Sequence, residues 1–363
     1  MEAAETAIHG KRQRLSRRTM RAAWLEQWGG ELHHGERTRP RPGEGEVLVE
    51  VEACGIGLTV LNCIRGDLGD GSDNLPRIPG HELVGRIAEL GSGVQPSRLG
   101  ERVMAYFYLF CGRCRMCLAG AEPMCQNLAG YLGVHRDGGY AACAVLPARN
   151  AIPLPEAIQP SDAAAIPDAI ATPVHVAARA GIAPSDRVAV VAAGGGVGIH
   201  MVQVARLHGA DVVGLDAVES KLAFLSDELG VGVVDSSDFA SARLPARWHG
   251  QADIVVDLLG TRPSLEWSLG ALASNGRLVV LTTFRDIDMT VRPRDLVLTQ
   301  ASVMGSRYAA RHELLLAARL VASGQVQPVI GLRVRIDDVE SAHRDLRAGR
   351  LLGRAALIWD KEG

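Results

Sequence analysis

From about residue 20 to 155 the apolar and polar positions alternate in short runs, such as EVLVEVEACGIG (46–57) and ELVGRIAELG (82–91), broken by Gly and Pro. A period of two bounded by turn formers predicts strands, and many short strands in succession predict an irregular, barrel-like β domain. Between about 165 and 300 the rhythm changes. The continuous apolar runs AVVAA (189–193), VVGLD (212–216), DIVVD (253–257) and LVVLT (278–282) alternate with helical stretches. That alternation is the signature of βαβ units in a doubly wound parallel sheet. After about 303 the text is mixed again, with a helix expected near 312–323 and closing strands near 331–336 and 354–359 that return to the first domain. The opening stretch, 1–19, is rich in Lys and Arg but poor in apolar side chains, and reads as a loose tail.

At 363 residues the chain suits two domains. Lys plus Arg (39) nearly balances Asp plus Glu (41), so no global field favours nucleic acid or an anionic membrane. No apolar run reaches transmembrane length and no secretory leader is evident, so a cytoplasmic protein acting on a small molecule is expected. Cys54, Cys63 and Cys143 are then reduced thiols that pack as small hydrophobes.

Four further cysteines crowd the string CGRCRMCLAGAEPMC at Cys111, Cys114, Cys117 and Cys125. Two-residue gaps let neighbouring sulfurs converge on one ion while a seven-residue loop returns the fourth, a spacing that suits zinc. An iron–sulfur run would close with a shorter gap and a proline, and disulfides need an oxidising compartment. Four protein ligands make a closed, structural site, so the chemistry is expected elsewhere.

The strand at 189–193 runs into Gly194, Gly195, Gly196, Val197 and Gly198, followed by a helix with apolar Ile199, Val202 and Ala205. Backbone amides unobstructed by Cβ atoms and a helix N-terminus form a cradle for a pyrophosphate. The glycine pattern alone is weak, because Ala193 takes its first position. Asp216, 18 residues after Gly198 at the end of the next strand, strengthens it: an acid there accepts from the ribose hydroxyls and repels a 2′-phosphate, predicting NAD over NADP.

The cysteine loop, the string IPGHELVG (78–85) and the following glycine turn together resemble the zinc-containing alcohol dehydrogenases of the medium-chain dehydrogenase/reductase family. DGGYAACAVLPARNAIPLP (137–155) and AAAIPDAIATPVHVA (163–177) add to the likeness, which covers about residue 20 to the end. It implies a GroES-like, β-rich catalytic domain over 20–165 and 304–363, with the zinc loop at 110–126, and a Rossmann nucleotide-binding domain over 166–303. It also implies that Lys221 approaches the adenosine ribose, that Arg354 reaches the pyrophosphate, and that the protein is a homodimer or homotetramer.

Three departures bear on a second, catalytic zinc. Aligned on CGIGLTVLNCIRGD, Gly57 stands at the ligand cysteine, Thr59 at the proton-relay hydroxyl, Val60 at the acid that would orient His81, and Asn62 at a relay histidine. His81 and Glu82 are intact, and Asp168 takes the third-ligand position. Three readings follow. Zinc survives weakly on His81 and Asp168 with help from Glu82; or it is absent, and the enzyme reduces an already activated C=C or iminium bond; or the protein binds nucleotide without catalysis. The expectation is one zinc per chain, an NAD-dependent oxidoreductase and a pocket mostly empty of metal. Cys54 and Cys63 are poor substitutes for the missing ligand. An odd offset along a strand turns Cys54 away, and Cys63 falls in the next helix.

Overall fold

The computed structural model describes residues 18–68, 72–283 and 286–359. Of the expected tail, residues 1–17 lie outside this range, and Thr19 is already paired in the first strand.

The chain forms two compact units. In the first, β1 (Thr19–Trp24) pairs antiparallel with β2 (His33–Thr38). The long β3 (Glu46–Ile56) pairs antiparallel with β4 (Glu82–Leu90) and β6 (Cys143–Pro147), and β5 (Arg102–Ala105) links β4 to β7 (Ala151–Pro153). β3 is central because Val47, Leu48, Val49, Ala53 and Ile56 are fully buried. Its register with β4 sets Gly55 opposite Glu82. Gly55 is obligatory there: a Cβ would lie 2.3 Å from Glu82 Oε2 and 2.6 Å from the Ala164 carbonyl.

The second unit is a six-stranded parallel sheet. Its strands are β8 (Arg187–Val191), β9 (Asp211–Asp216), β10 (Gly232–Asp235), β11 (Ala252–Asp257), β12 (Leu272–Val280) and β13 (Ser302–Gly305), in the order β10-β9-β8-β11-β12-β13. This is the doubly wound arrangement, whose direction of winding reverses between β8 and β11. Val191, Val213, Leu215, Trp248, Val255 and Leu278 belong to one of its buried clusters. The four expected strands appear within a few residues of their predicted places, whereas the short β10 and β13 carry too little apolar text to be seen in advance.

β14 (Ile330–Val334) and β15 (Arg354–Ile358) close the chain, and β15 pairs antiparallel with β3, as the return to the first domain predicted. The boundary moves, however. The second unit comprises Asp168–Gly331 and Arg350–Arg354, so residues 304–331 stay with it and not with the catalytic domain. The reason is packing: β13 extends the parallel sheet beside β12, and helix Arg311–Ala322 lies on helix Ala171–Ala180. No helix among the described residues is long and apolar enough to cross a membrane.

Candidate functional site

The cysteine loop is built locally. Cys114 caps a single helical turn, Arg115–Leu118, which carries Cys117, and a 3₁₀ turn, Glu122–Met124, delivers Cys125. Each of the four offers a sulfur within 4.8 Å of the others. Cys114 Sγ is 3.5 Å from Cys117 Sγ and 3.9 Å from Cys125 Sγ, and Cys111 Sγ is 3.9 Å from Cys117 Sγ. A tetrahedron of thiolates around zinc, with bonds of about 2.3 Å, spaces its sulfurs by about 3.8 Å, so the donor set fits that ion. Backbone N–H groups also aim at the sulfurs: Cys114 and Arg113 donate to Cys111, and Gln126 to Cys114. Amide N–H donation, from Arg113 first, holds the Cys111 thiol below the usual range. The same effect, led by Cys117 and Gln126, draws Cys114 down to about 6. Burial pushes Cys117 up to about 12. None of the seven cysteines is joined in a disulfide.

In the second unit the turn after β8 leads into helix Gly198–Leu207. Asp216, at the end of β9, accepts from Gly194 N–H at 2.9 Å through Oδ2 and from Ala217 and Val218 N–H through Oδ1. The acid is thereby tied to the turn before any ribose arrives. Lys221 is buried with its stem against Gly194, where a Cβ would lie 2.5 Å from the lysine Cβ. Arg354 lies beside Gly196, and a Cβ on Gly195 would meet only the Ala192 carbonyl, at 3.3 Å. The turn is thus open at Gly195 and flanked by Lys221 and Arg354. Val197 immediately precedes this helix as its N-cap.

One residue of this unit escaped the sequence reading. His200 Nδ1 is 2.6 Å from the Gly196 carbonyl, and its Nε2 accepts from Val329 N–H at 3.0 Å. Burial lowers its pKa to about 4, so the ring is neutral, with the proton on Nδ1 assigned by this network. Its position four residues after Gly196 on the helix was the only signal available.

Around the candidate pocket of the first unit, His81 and Glu82 are almost wholly buried, with His81 Nε2 3.4 Å from Glu82 Oε1. The Phe107 ring covers His81 at a centroid distance of 4.4 Å. Gly57 is a buried N-cap of helix Leu58–Arg65, whose first turns carry Thr59 and buried Val60. Cys63 lies in this helix, and Asn62 takes a hydrogen bond from Arg65. Cys54 Sγ fills space beside Gly80 and Gly139. Asp168 opens the second unit. It accepts from Thr172 Oγ1 at 2.9 Å and Arg354 Nη2 at 3.1 Å.

Residues 43–156 match the alcohol dehydrogenase GroES-like domain, and residues 196–323 match the zinc-binding dehydrogenase domain. An alcohol dehydrogenase of Geobacillus stearothermophilus is 30% identical over 341 residues, covering 93% of this chain and 98% of the relative. An acryloyl-coenzyme A reductase of Metallosphaera sedula is 28% identical, covering 88% of this chain and 93% of its own. The cobalt- and zinc-bound thermostable alcohol dehydrogenase of Pyrobaculum aerophilum superposes with a TM-score of 0.85 at 32% identity, covering 94% of this chain and all of that one.

Proposed function

We propose, from the fact that this chain belongs to the zinc-containing alcohol dehydrogenases of the medium-chain dehydrogenase/reductase family, that it transfers hydride between NAD and a small alcohol, carbonyl or related substrate. The chain is an oxidoreductase. The observation that carries the nucleotide reading is Asp216: a buried acid at the end of β9, tied to the first glycine of the turn, suits two ribose hydroxyls and disfavours a 2′-phosphate. NADP is the lesser candidate. Lys221 would stand by the ribose and Arg354 by the pyrophosphate. The nicotinamide, when bound, supplies or accepts the hydride.

One zinc per chain belongs to Cys111, Cys114, Cys117 and Cys125, where it ties the loop together and takes no part in turnover. In the first unit, His81 is left without the thiolate that Gly57 would have carried. It anchors substrate oxygen or exchanges its proton, with Thr59 as relay hydroxyl and Glu82 as a reserve donor. A metal held there would polarise a substrate oxygen. The absent donor at Gly57 also favours a second reading, reduction of a C=C or iminium bond already activated by conjugation, which needs no Lewis acid. A homodimer or homotetramer is part of the proposal. The outer strand β13 is the end of its sheet, and Val297 and Leu298 stand exposed nearby in sequence. So is a cytoplasmic location without nucleic-acid or membrane partners, which the balanced charge supports.

Elemental analysis tests the metal assignment. We expect about one zinc per chain, activity that survives a mild chelator, and about two zincs per chain in Gly57→Cys. The φ of −139° and ψ of −179° at Gly57 are open to any residue, so the new side chain meets no backbone strain. Two zincs in the unmodified protein would overturn the assignment and restore metal-assisted alcohol oxidation.

A further inference from the structure

Asp168 sits in a π-helical turn, Ile166–Ile170, that leads into helix Ala171–Ala180. Such turns add a residue to the helical ring, re-aim side chains and recur at functional sites. Both carboxylate oxygens are engaged within the nucleotide unit: Thr172 donates to Oδ1 at 2.9 Å and Arg354 Nη2 to Oδ2 at 3.1 Å. Arg354 is itself buried, at 4% exposure. It follows Gly353, whose N–H donates to the Gly194 carbonyl at 3.0 Å and so docks this late segment on the glycine turn. The other edge of its guanidinium faces that turn, with Nη1 3.0 Å from the place a Cβ on Gly196 would take. One planar cation therefore spans from the Asp168 carboxylate to the phosphate cradle.

We propose that Asp168 is a positioning residue for the coenzyme: with Thr172 behind it, it sets the plane of the Arg354 guanidinium so that the Nη1 edge meets the dinucleotide pyrophosphate. This rests on the reading that NAD binds at Gly194–Gly198. An arginine recognises phosphate through a rigid fork of donors, so its orientation decides how many bonds form at once. A carboxylate on the far edge supplies that orientation. Asp168 is then occupied as an anchor for Arg354, which adds to the absence of a thiolate at Gly57 in weakening any second metal site.

The test is binding of NADH, ADP-ribose and adenosine to the full, zinc-replete chain, in the unmodified protein, Asp168→Asn, Arg354→Ala and the double variant. Asp168→Asn should weaken NADH and ADP-ribose about tenfold, leave adenosine within a factor of about two, and add no further loss in the Arg354→Ala background. Thr172→Val removes only the hydroxyl from Oδ1. It should weaken the same two ligands by a smaller factor, and it stands in if Asp168→Asn does not fold. Equal losses for adenosine, or additive losses in the double variant, would overturn the proposal. So would undiminished ADP-ribose affinity accompanied by loss of bound zinc, which would return Asp168 to metal ligation. An unmodified protein that binds neither NADH nor ADP-ribose would sink the NAD reading itself. Normal binding without the pyrophosphate-specific loss would sink the positioning role alone.

Discussion

The cysteine loop and the glycine turn both read as ligand sites from short strings, yet they are assembled in opposite ways. The four sulfurs come from residues 111–125, so the covalent chain already holds them near one another and only two tight turns are needed to aim them. The proposed nucleotide cradle draws Asp216 from β9, Lys221 from the following helix, Arg354 from the last strand, and His200 as a tie between the Gly196 carbonyl and Val329. On the proposed zinc assignment the loop depends on its ion, because it has little core of its own. The turn's surroundings depend on the whole unit being folded, because Arg354 and Val329 come from segments more than a hundred residues away from it in sequence.

Removing a sulfur should therefore have the largest effect. Structural zinc supplies apparent binding free energy of about 10–16 kcal/mol in small metal-folded domains, and that energy is folding energy. Cys114→Ser should give aggregation-prone protein with the loop zinc lost, read by elemental analysis and light scattering. A soluble, fully active, zinc-free variant would break the contrast.

Acid should act on the cradle with a smaller effect. His200 has a folded pKa near 4 against an ordinary value near 6.5, because burial keeps it neutral. Protonation would cost the bond from Val329 N–H, since an imidazolium has no lone pair to accept it. The unfolded chain takes up that proton first as pH falls, so the contribution to stability is complete above about pH 6.5 and shrinks towards pH 4. By pH 5 the loss is roughly 2 kcal/mol. Denaturant melts at pH 7.5 and 5 should show His200→Gln losing less stability than the unmodified protein over that interval. Parallel losses would mean that His200 already titrates normally. His343 in the first unit, hydrogen-bonded to the Tyr140 hydroxyl and also lowered to about 4 by burial, supplies a background slope common to both proteins.

The smallest expected change sharpens the comparison at one charge. Asp216→Ser should reduce the preference for NAD over NADP by about tenfold through loss of repulsion at the 2′-position. Both coenzymes will bind more weakly, because the Gly194 N–H loses its acceptor, so the ratio of the two dissociation constants is the measurement. Tighter binding of NADP than NAD by the unmodified protein would show that Asp216 does not face the ribose.

Periodicity and spacing in the sequence determined the β-rich and doubly wound units, the cysteine cluster, the glycine turn and its acid, because each is encoded within one or two adjacent elements. The resemblance also placed Gly57 where a donor would stand, an expectation about a second metal site that elemental analysis would test. Tertiary structure alone decided the rest. The second unit runs on to Gly331 because β13 and helix Arg311–Ala322 pack on it, a choice between competing surfaces that no local pattern expresses. Thr172, four residues after Asp168, was within reach of a helical-spacing argument, but the π turn before it was not. The ion pair of Asp168 with Arg354 joins residues 186 apart in sequence. Its existence rests on Gly353 docking against Gly194, a backbone contact without any signature in composition or spacing, because hydrogen-bonding groups of the main chain are the same at every residue.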